Sequence, residues 1–485
     1  MSPRRSSSDE PVFVVWFRGK DLRLGDHPAL TAALAGGARV VPIFVVDPYF
    51  FAPERARRLA HRMQFLLGSI EVLAREIAER GSRLVLLEGK SHEVIPAAAT
   101  ALRAVKVFAM RAVEPVFRER DRRVREALGD RFELLEGETL TPPGSVLTGS
   151  GGPYLVFTPF SRAVRDKLPP AELARSVTPA PRSLPPLPAQ LGLSEVPLPS
   201  LAKLGITANP RLPEPGEIAA RARLSRFVAA GLAGYAELRD RMDLDGTSHL
   251  SQDLKFGTLS VREVVAAALT AASPPSIADK FVSEVLWREF THHTLFHRPT
   301  VLREPFRAEF RGFPWVFDQA RWAAWVSGNT GLPVIDAAAR QLLAEGWVHN
   351  RARMITASFL TRQLLVPYTH GEAHYLEHLV DGDWAQNNAG WQWCAGSGTD
   401  AQPYFRVFNP VLQAERYDPT GAYVRRWVPE LAGVSAERIH KPWLAPRAER
   451  GSYPTPIVDL AEARDRYLAV AKLHMKNVRG ASGSG

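Results

Sequence analysis

Five short apolar runs punctuate the first 140 positions of the chain, at residues 12–17, 40–46, 83–87, 105–110 and 132–135, each bounded by turn residues. Between them lie stretches with apolar positions at helical spacing, the longest at 55–80 with Gly81 as its stop. Continuous apolar runs alternating with helix-length segments predict parallel strands, buried on both faces and joined by crossover helices. Residues 11–140 are therefore expected to form a Rossmann-like α/β domain. No G-x-G-x-x-G follows the first run, which argues against a dinucleotide fingerprint there.

The pattern then changes twice. From 141 to 215 periodicity fades and proline recurs, at Pro142, Pro143, Pro153, Pro159, Pro169, Pro170 and on to Pro215, which predicts a long interdomain linker. From 216 to 475 Ala, Leu, Arg and aromatic residues return at helical spacing, so this part is expected to be mainly α-helical. Residues 1–10 lack the apolar region of a signal peptide and read as a disordered leader, and 476–485 read as a flexible tail. The expected fold class is α/β plus all-α.

Composition adds bounds rather than a function. The 485 residues are 45% hydrophobic, enough for two or more cores. A formal net charge of +10 suits a polyanion partner without requiring one. The single cysteine, Cys394, excludes an intrachain disulfide and fits a reducing compartment. No apolar run approaches the ~20 residues that span a bilayer. A monomeric cytoplasmic protein, away from membranes, is the expectation.

Candidate chemistry concentrates late in the chain. Two acids, two adjacent asparagines and three tryptophans (Trp384, Trp391, Trp393) crowd into residues 381–393. That mix is too polar for a core helix and too aromatic for a solvated face. On a helix Asp383, Asn387 and Trp391 share a face, which offers charge, amide hydrogen bonds and π-surface to a flat polar ligand. The plainer alternative is a helix with core tryptophans and capping acids. Glu284, Trp287 and Arg288 fall at i, i+3 and i+4, where a surface Glu–Arg pair beside a core Trp is the plain reading. Asn350, Arg353 and Met354 repeat the spacing, and an Asn and an Arg buried together would need a partner such as a ligand. Gly246-Thr-Ser-His-Leu-Ser251 is either an ordinary N-cap or a phosphate cradle.

These segments, together with Trp16-Phe-Arg-Gly-Lys-Asp-Leu-Arg-Leu-Gly-Asp-His-Pro-Ala-Leu30, resemble the DNA photolyase/cryptochrome family, most closely the bacterial class I cyclobutane pyrimidine dimer photolyases. The resemblance spans roughly residues 12–475. It implies an antenna domain followed by a helical FAD-binding domain. FAD would be held by Tyr235, Thr247, Ser248, His249, Leu250, Ser251, Phe281, Arg288, Arg353, Asp381, Gly382, Asp383 and Asn387. Within that set His249 stands where relatives often carry Arg, and Phe281 where they often carry Trp. Arg353 is expected to pair with Asp381 or Asp383.

The resemblance further implies light-driven repair of pyrimidine dimers in UV-damaged DNA, by an electron from excited reduced FAD to a flipped-out lesion. Glu284, Asn350 and Met354 would receive the lesion, with Trp287, Trp393, Gln413, Arg239 and Arg351 as further DNA contacts. Relatives that act on (6-4) photoproducts carry histidines at the two positions held here by Asn350 and Met354. A blue-light photoreceptor is the alternative function, and it would need no intact lesion pocket.

Flavin reduction in the family runs along three tryptophans. Trp391 matches the flavin-proximal member and Trp315 the surface member; Tyr368 stands in the middle, with Trp384 as a candidate detour. A second chromophore, a folate or a deazaflavin, is implied for the antenna domain. Glu114 matches a folate-contacting position of some relatives, although an isolated Glu is ordinarily solvated. His370, His374 and His378, and the His-rich stretch 291–297, resemble metal stripes but are read as packed or solvated helix faces, with no metal expected. Cys394 reads as a small core residue.

Overall fold

The apolar runs fold as five parallel strands, β1 (Val12–Phe17), β2 (Arg39–Val46), β3 (Val85–Glu88), β4 (Lys106–Met110) and β5 (Phe132–Leu135), in the order β3-β2-β1-β4-β5. Val14 of β1 lies opposite both Val41 and Val107, and Val107 in turn opposite Phe132, so the centre of the sheet is a row of β-branched and aromatic side chains. Parallel neighbours need crossovers, and the helices Ala60–Glu79, Ser91–Ala101 and Pro115–Leu128 supply them. The order reverses between β1 and β4, which leaves a crevice at the carboxyl ends of those strands.

This computed structural model describes residues 11–37, 39–401 and 403–482. The leader expected over 1–10 lies outside them, as do 483–485 of the expected tail. The last helix, Leu460–Ser482, runs on through 476–482, in spite of the weak helix formers Asn477 and Gly480. Helices also stand inside the proline-rich stretch, at Phe157–Lys167 and Pro170–Ser176. Among the described residues no helix is long and apolar enough to cross a membrane.

Contacts divide the chain into two units. The first holds the sheet together with Thr158–Ala233 and Ser248–Pro299, and therefore the helices Glu217–Arg226, Val261–Ala271 and Ser276–His297. Buried charges tie these helices to the segments after β1 and after β5. Glu217 accepts the backbone N–H groups of Leu24 (2.6 Å) and Gly25 (3.0 Å). Asp26 takes Arg262 through both oxygens, at 3.0 and 2.9 Å. Glu289 accepts from Leu140 and Thr141, both at 2.9 Å. Gly257, at φ +61°, lets the chain pass Lys20 so closely that a Cβ would fall 1.9 Å from its carbonyl oxygen.

The second unit comprises Leu155–Phe157, Gly234–Thr247 and the residues from Thr300 on, and its regular elements among the described residues are helices. Its core gathers Ile335, Leu342, Ile355, Phe359, Tyr375, Trp391, Val424 and Leu431 from seven different elements, all buried. Side-chain caps start its helices cleanly: Asp318 before Gln319–Ser327, Asp383 before Trp384–Ala395 and Asn409 before Pro410–Tyr417.

Candidate functional site

In the second unit the Arg353 guanidinium reaches Asp381 at 2.8 Å, Nη2 to Oδ2, and its Nε donates to the Val348 carbonyl at 2.7 Å. Of the two acids that sequence left open as partners, the structure takes Asp381. Asp383 is otherwise engaged: its Oδ1 accepts from the N–H groups of Ala385 (2.9 Å) and Gln386 (3.1 Å) as a helix cap. Asp381 is 7% exposed, and its second oxygen, Oδ1, is buried without a partner in the protein. An acceptor left so costs free energy unless a donor meets it, which suits a ligand carrying ring N–H groups.

Asn387 follows one turn after Asp383 and donates its Nδ2 to the Glu372 carbonyl at 2.9 Å. Asn388 donates to the Val301 carbonyl (3.0 Å) and to the Glu372 carboxylate (2.9 Å). Burial pushes Glu372 up to about 7, against the pull of that Asn388 hydrogen bond. Glu372 did not stand out in the sequence; its place four residues after Tyr368, on the face of the Tyr368–His378 helix that meets the 384–395 helix, was the available signal.

Asn350 and Met354 stand one turn apart on the Asn350–Ser358 helix, Nδ2 to Sδ 3.7 Å. Burial of Asn350 with Arg353 was the expectation, and it does not hold: Asn350, as the first residue of its helix, is exposed. Arg351 pairs with Asp240 at 2.8 Å and lies over the Tyr417 ring at 4.4 Å, while Arg239 stands 3.9 Å from the other oxygen of Asp240. Both arginines are thus only about 14% exposed, so a phosphate would share them with Asp240. Trp393 and Gln413 are half-buried, and Tyr235 is buried at the start of a short helix.

Trp391 is buried and its ring contacts run to Trp325 (6.1 Å) and Tyr375 (5.2 Å). Tyr368 is buried, and burial together with the Glu372 and Glu304 carboxylates pushes its phenol up. Trp315 packs on Phe313 at 4.4 Å. Trp384 opens the helix that carries Trp391, and seven residues of helix separate the two by about 10 Å along the axis. Burial pushes the Cys394 thiol up to about 12, as befits a core residue.

The first unit carries the other candidates. On the Ser276–His297 helix Glu284 and Trp287 are partly exposed, with Glu284 3.0 Å from Lys280, whereas Arg288 is 6% exposed. Arg288 donates to the Glu138 carbonyl at 2.9 Å, and its Nε is buried without a partner. Phe281 is buried against Phe227, ring centroids 4.7 Å apart. His249 adopts φ +50°, and Leu250 and the unpartnered Ser251 hydroxyl follow it into the Ser251–Phe256 helix. His292 and His293 are buried among Glu138, Glu289 and Thr141. His374, in the second unit, packs on tryptophan rings.

The crevice at the carboxyl ends of β1, β2 and β4 is a cavity of about 460 Å³. Trp16, Phe50 and Phe117 supply rings, and charge of both signs lines it, from Arg18, Lys90, Arg111 and Arg120 and from Asp21, Asp47, Glu119 and Glu138. Glu114, expected to be solvated, is instead buried and paired with Lys20.

Residues 13–183 match the family model described as DNA photolyase, and residues 281–473 the model of the FAD binding domain of DNA photolyase. A deoxyribodipyrimidine photo-lyase of Thermus thermophilus is 42% identical over 461 residues, covering 95% of this chain and 98% of the relative. Its counterpart in Escherichia coli is 36% identical, with 94% and 97% covered. Among solved structures, a bacterial class III photolyase from Agrobacterium tumefaciens superposes with a TM-score of 0.88 at 36% identity, covering 98% of this chain and all of that one. The chain belongs to the DNA photolyase family, and its helical part is that family's FAD-binding domain.

Proposed function

We propose that this protein splits cyclobutane pyrimidine dimers in DNA, a carbon–carbon lyase reaction driven by light and FAD. The observation that carries the reading is the Asp381 carboxylate, clamped by Arg353 through one oxygen and unpartnered at the other, inside the span matched by the FAD-binding model. When bound, reduced FAD would supply light-driven one-electron chemistry to the dimer. The chain's own residues bind, orient and exclude water.

Arg353 aims Asp381, whose free oxygen would be available to an N–H donor of bound flavin. Tyr235, Thr247, Ser248, Leu250 and Ser251 hold the pyrophosphate and ribityl side, where His249 replaces a permanent cation and leaves hydroxyls and backbone N–H groups as the chief donors. Phe281 and Arg288 in the first unit, and Gly382 and Asp383 in the second, are further proposed flavin contacts, and the unpartnered Nε of Arg288 supports its facing a ligand. Asn387, oriented by the Glu372 carbonyl, presents an amide, which has no acidic proton to release.

Glu284 in the first unit, and Asn350 and Met354 in the second, are the proposed contacts to the two joined bases, and the exposure of Asn350 supports that role. Trp287 and Trp393 stack on the bases once they have left the duplex. Gln413, Arg239 and Arg351 contact the strand. A second, light-gathering chromophore occupies the 460 Å³ cavity at the strand ends, whose rings suit a flat aromatic molecule. The protein works as a cytoplasmic monomer on UV-damaged DNA, in keeping with its net charge of +10. Light-dependent loss of dimers from an irradiated oligonucleotide, with none in the dark, is the test.

A further inference from the structure

Arg362 is wholly buried in the second unit, on a widened turn where the Leu364 N–H reaches back five residues to the Phe359 carbonyl at 3.1 Å. Its guanidinium ties the end of the Trp384–Ala395 helix to residues 403–406 of the loop that follows. Nε donates to the Cys394 carbonyl at 2.8 Å, one of those a helix end leaves open. Nη1 donates to the carbonyls of Pro403 and Tyr404, both at 3.1 Å, and to that of Arg406. The Tyr467 ring lies 5.7 Å from the guanidinium carbon. A second hold on the same loop comes from the strap Leu155–Phe157, which belongs to this unit. The Phe157 N–H donates to the Asp400 carboxylate at 3.1 Å, and the Thr399 hydroxyl to the Leu155 carbonyl at 2.9 Å. Asp400 sits at φ +48°, a state few side-chain-bearing residues adopt unless something holds them there.

Such a device is costly to a core. Burial disfavours the charged guanidinium and lowers its pKa, and an apolar side chain would fill the space without that cost. What the planar fork adds is a grip on several peptide oxygens at once, which neither an apolar residue nor a single ammonium reproduces. The gripped carbonyls of Tyr404 and Arg406 flank Phe405, whose own side chain is 59% exposed, with Arg406 exposed beside it. The backbone is therefore fixed from inside while an aromatic face and a cation are turned to solvent, a pairing that suits a strand of nucleic acid. A loop shaped beforehand incurs no ordering cost when its partner arrives.

We infer that Arg362 and Asp400 are positioning residues for damaged DNA: they hold the loop at 396–409 in its binding shape before DNA arrives. Both act through the loop rather than on the lesion. Arg362 has a further effect, because its grip on the Cys394 carbonyl fixes the end of the helix that carries Trp393. To that extent the inference rests on the reading above that Trp393 stacks on the displaced bases.

The test uses the full-length FAD-loaded protein as Arg362→Met, Arg362→Lys, Asp400→Ala and Trp393→Ala. Hydrogen–deuterium exchange of the DNA-free protein should quicken at 396–409 in the Arg362 and Asp400 variants. Affinity for a duplex with one thymine dimer should fall about tenfold, the scale of one lost hydrogen bond, while undamaged duplex binds as before. Arg362→Lys, which keeps a donor but not the fork, should recover part of what Arg362→Met loses. Asp400 is exposed, so Asp400→Ala keeps the core and FAD retention intact and decides the matter even where an Arg362 variant fails to fold. Wild-type exchange at 396–409 in Asp400→Ala, or a loosened loop that keeps the full preference for the dimer, would overturn the inference. A full preference in Trp393→Ala alongside a lowered one in Asp400→Ala would instead overturn the reading of Trp393, so the two failures are told apart.

Discussion

Arg353 holds one oxygen of Asp381 at 2.8 Å and leaves the other buried with no partner from the protein. A clamped carboxylate with a spare acceptor is poorly suited to a purely structural role, because a neutral residue would spare the desolvation. Asp381→Asn keeps the shape and removes the charge. It should weaken FAD retention by roughly 1.5–3 kcal/mol, about ten- to a hundredfold, as expected for a hydrogen bond to a charged group. Flavin absorbance after gel filtration reads the effect; full retention would place the cofactor contact elsewhere.

Glu284 stands half-exposed on the same helix as Trp287. Its carboxyl should matter most as charge develops on the lesion, an effect of the oxyanion-hole kind. Glu284→Ala should therefore lower the repair yield per absorbed photon much more than the affinity for dimer-containing DNA. Equal losses in yield and affinity would reduce Glu284 to a binding contact.

Trp287 and Trp393 can stack only on bases that have left the helix. Replacing either by Ala should cost roughly 1–3 kcal/mol on dimer-containing DNA and barely anything on intact duplex. Arg239 should behave in the opposite way. Its neutralisation should weaken both DNAs alike and reduce the salt slope by about one unit. Titrations of damaged and undamaged duplex at several salt concentrations separate the two patterns.

Glu372 carries a pH signature. Its carboxyl is raised from an ordinary 4.5 to about 7, so between these values the folded protein binds a proton that the unfolded chain does not. Its contribution is fully present below about 4.5 and is lost as pH rises through about 7. Stability from urea unfolding should fall over that window, by an order of ~1–3 kcal/mol from this group. Glu372→Gln should flatten that part of the slope; an unchanged slope would mean Glu372 titrates normally.

Much of the fold was legible because period and burial are local signals. The strands came from apolar runs, with β3 and β4 displaced by a residue or two at their ends, where pattern is weakest. Asp381 and Asp383 were interchangeable on paper; cap geometry at Asp383 separated them, and that depends on where the helix starts. Asn350 was expected to be buried because its spacing matches Arg353, yet a first-turn residue can point outward. The Trp391–Trp325 contact and the cavity at the strand ends join segments far apart in sequence, which periodicity cannot see.

The most direct measurement uses two defined duplexes, one with a single thymine cyclobutane dimer and one with a (6-4) photoproduct. Each is incubated with the reduced, FAD-loaded protein, in near-UV or blue light and in darkness, and the products are separated by liquid chromatography. The account predicts restored thymines in the first duplex, in light only, and an unchanged second duplex. Repair of the (6-4) lesion, or an intact cyclobutane dimer after illumination of fully reduced protein, would contradict it.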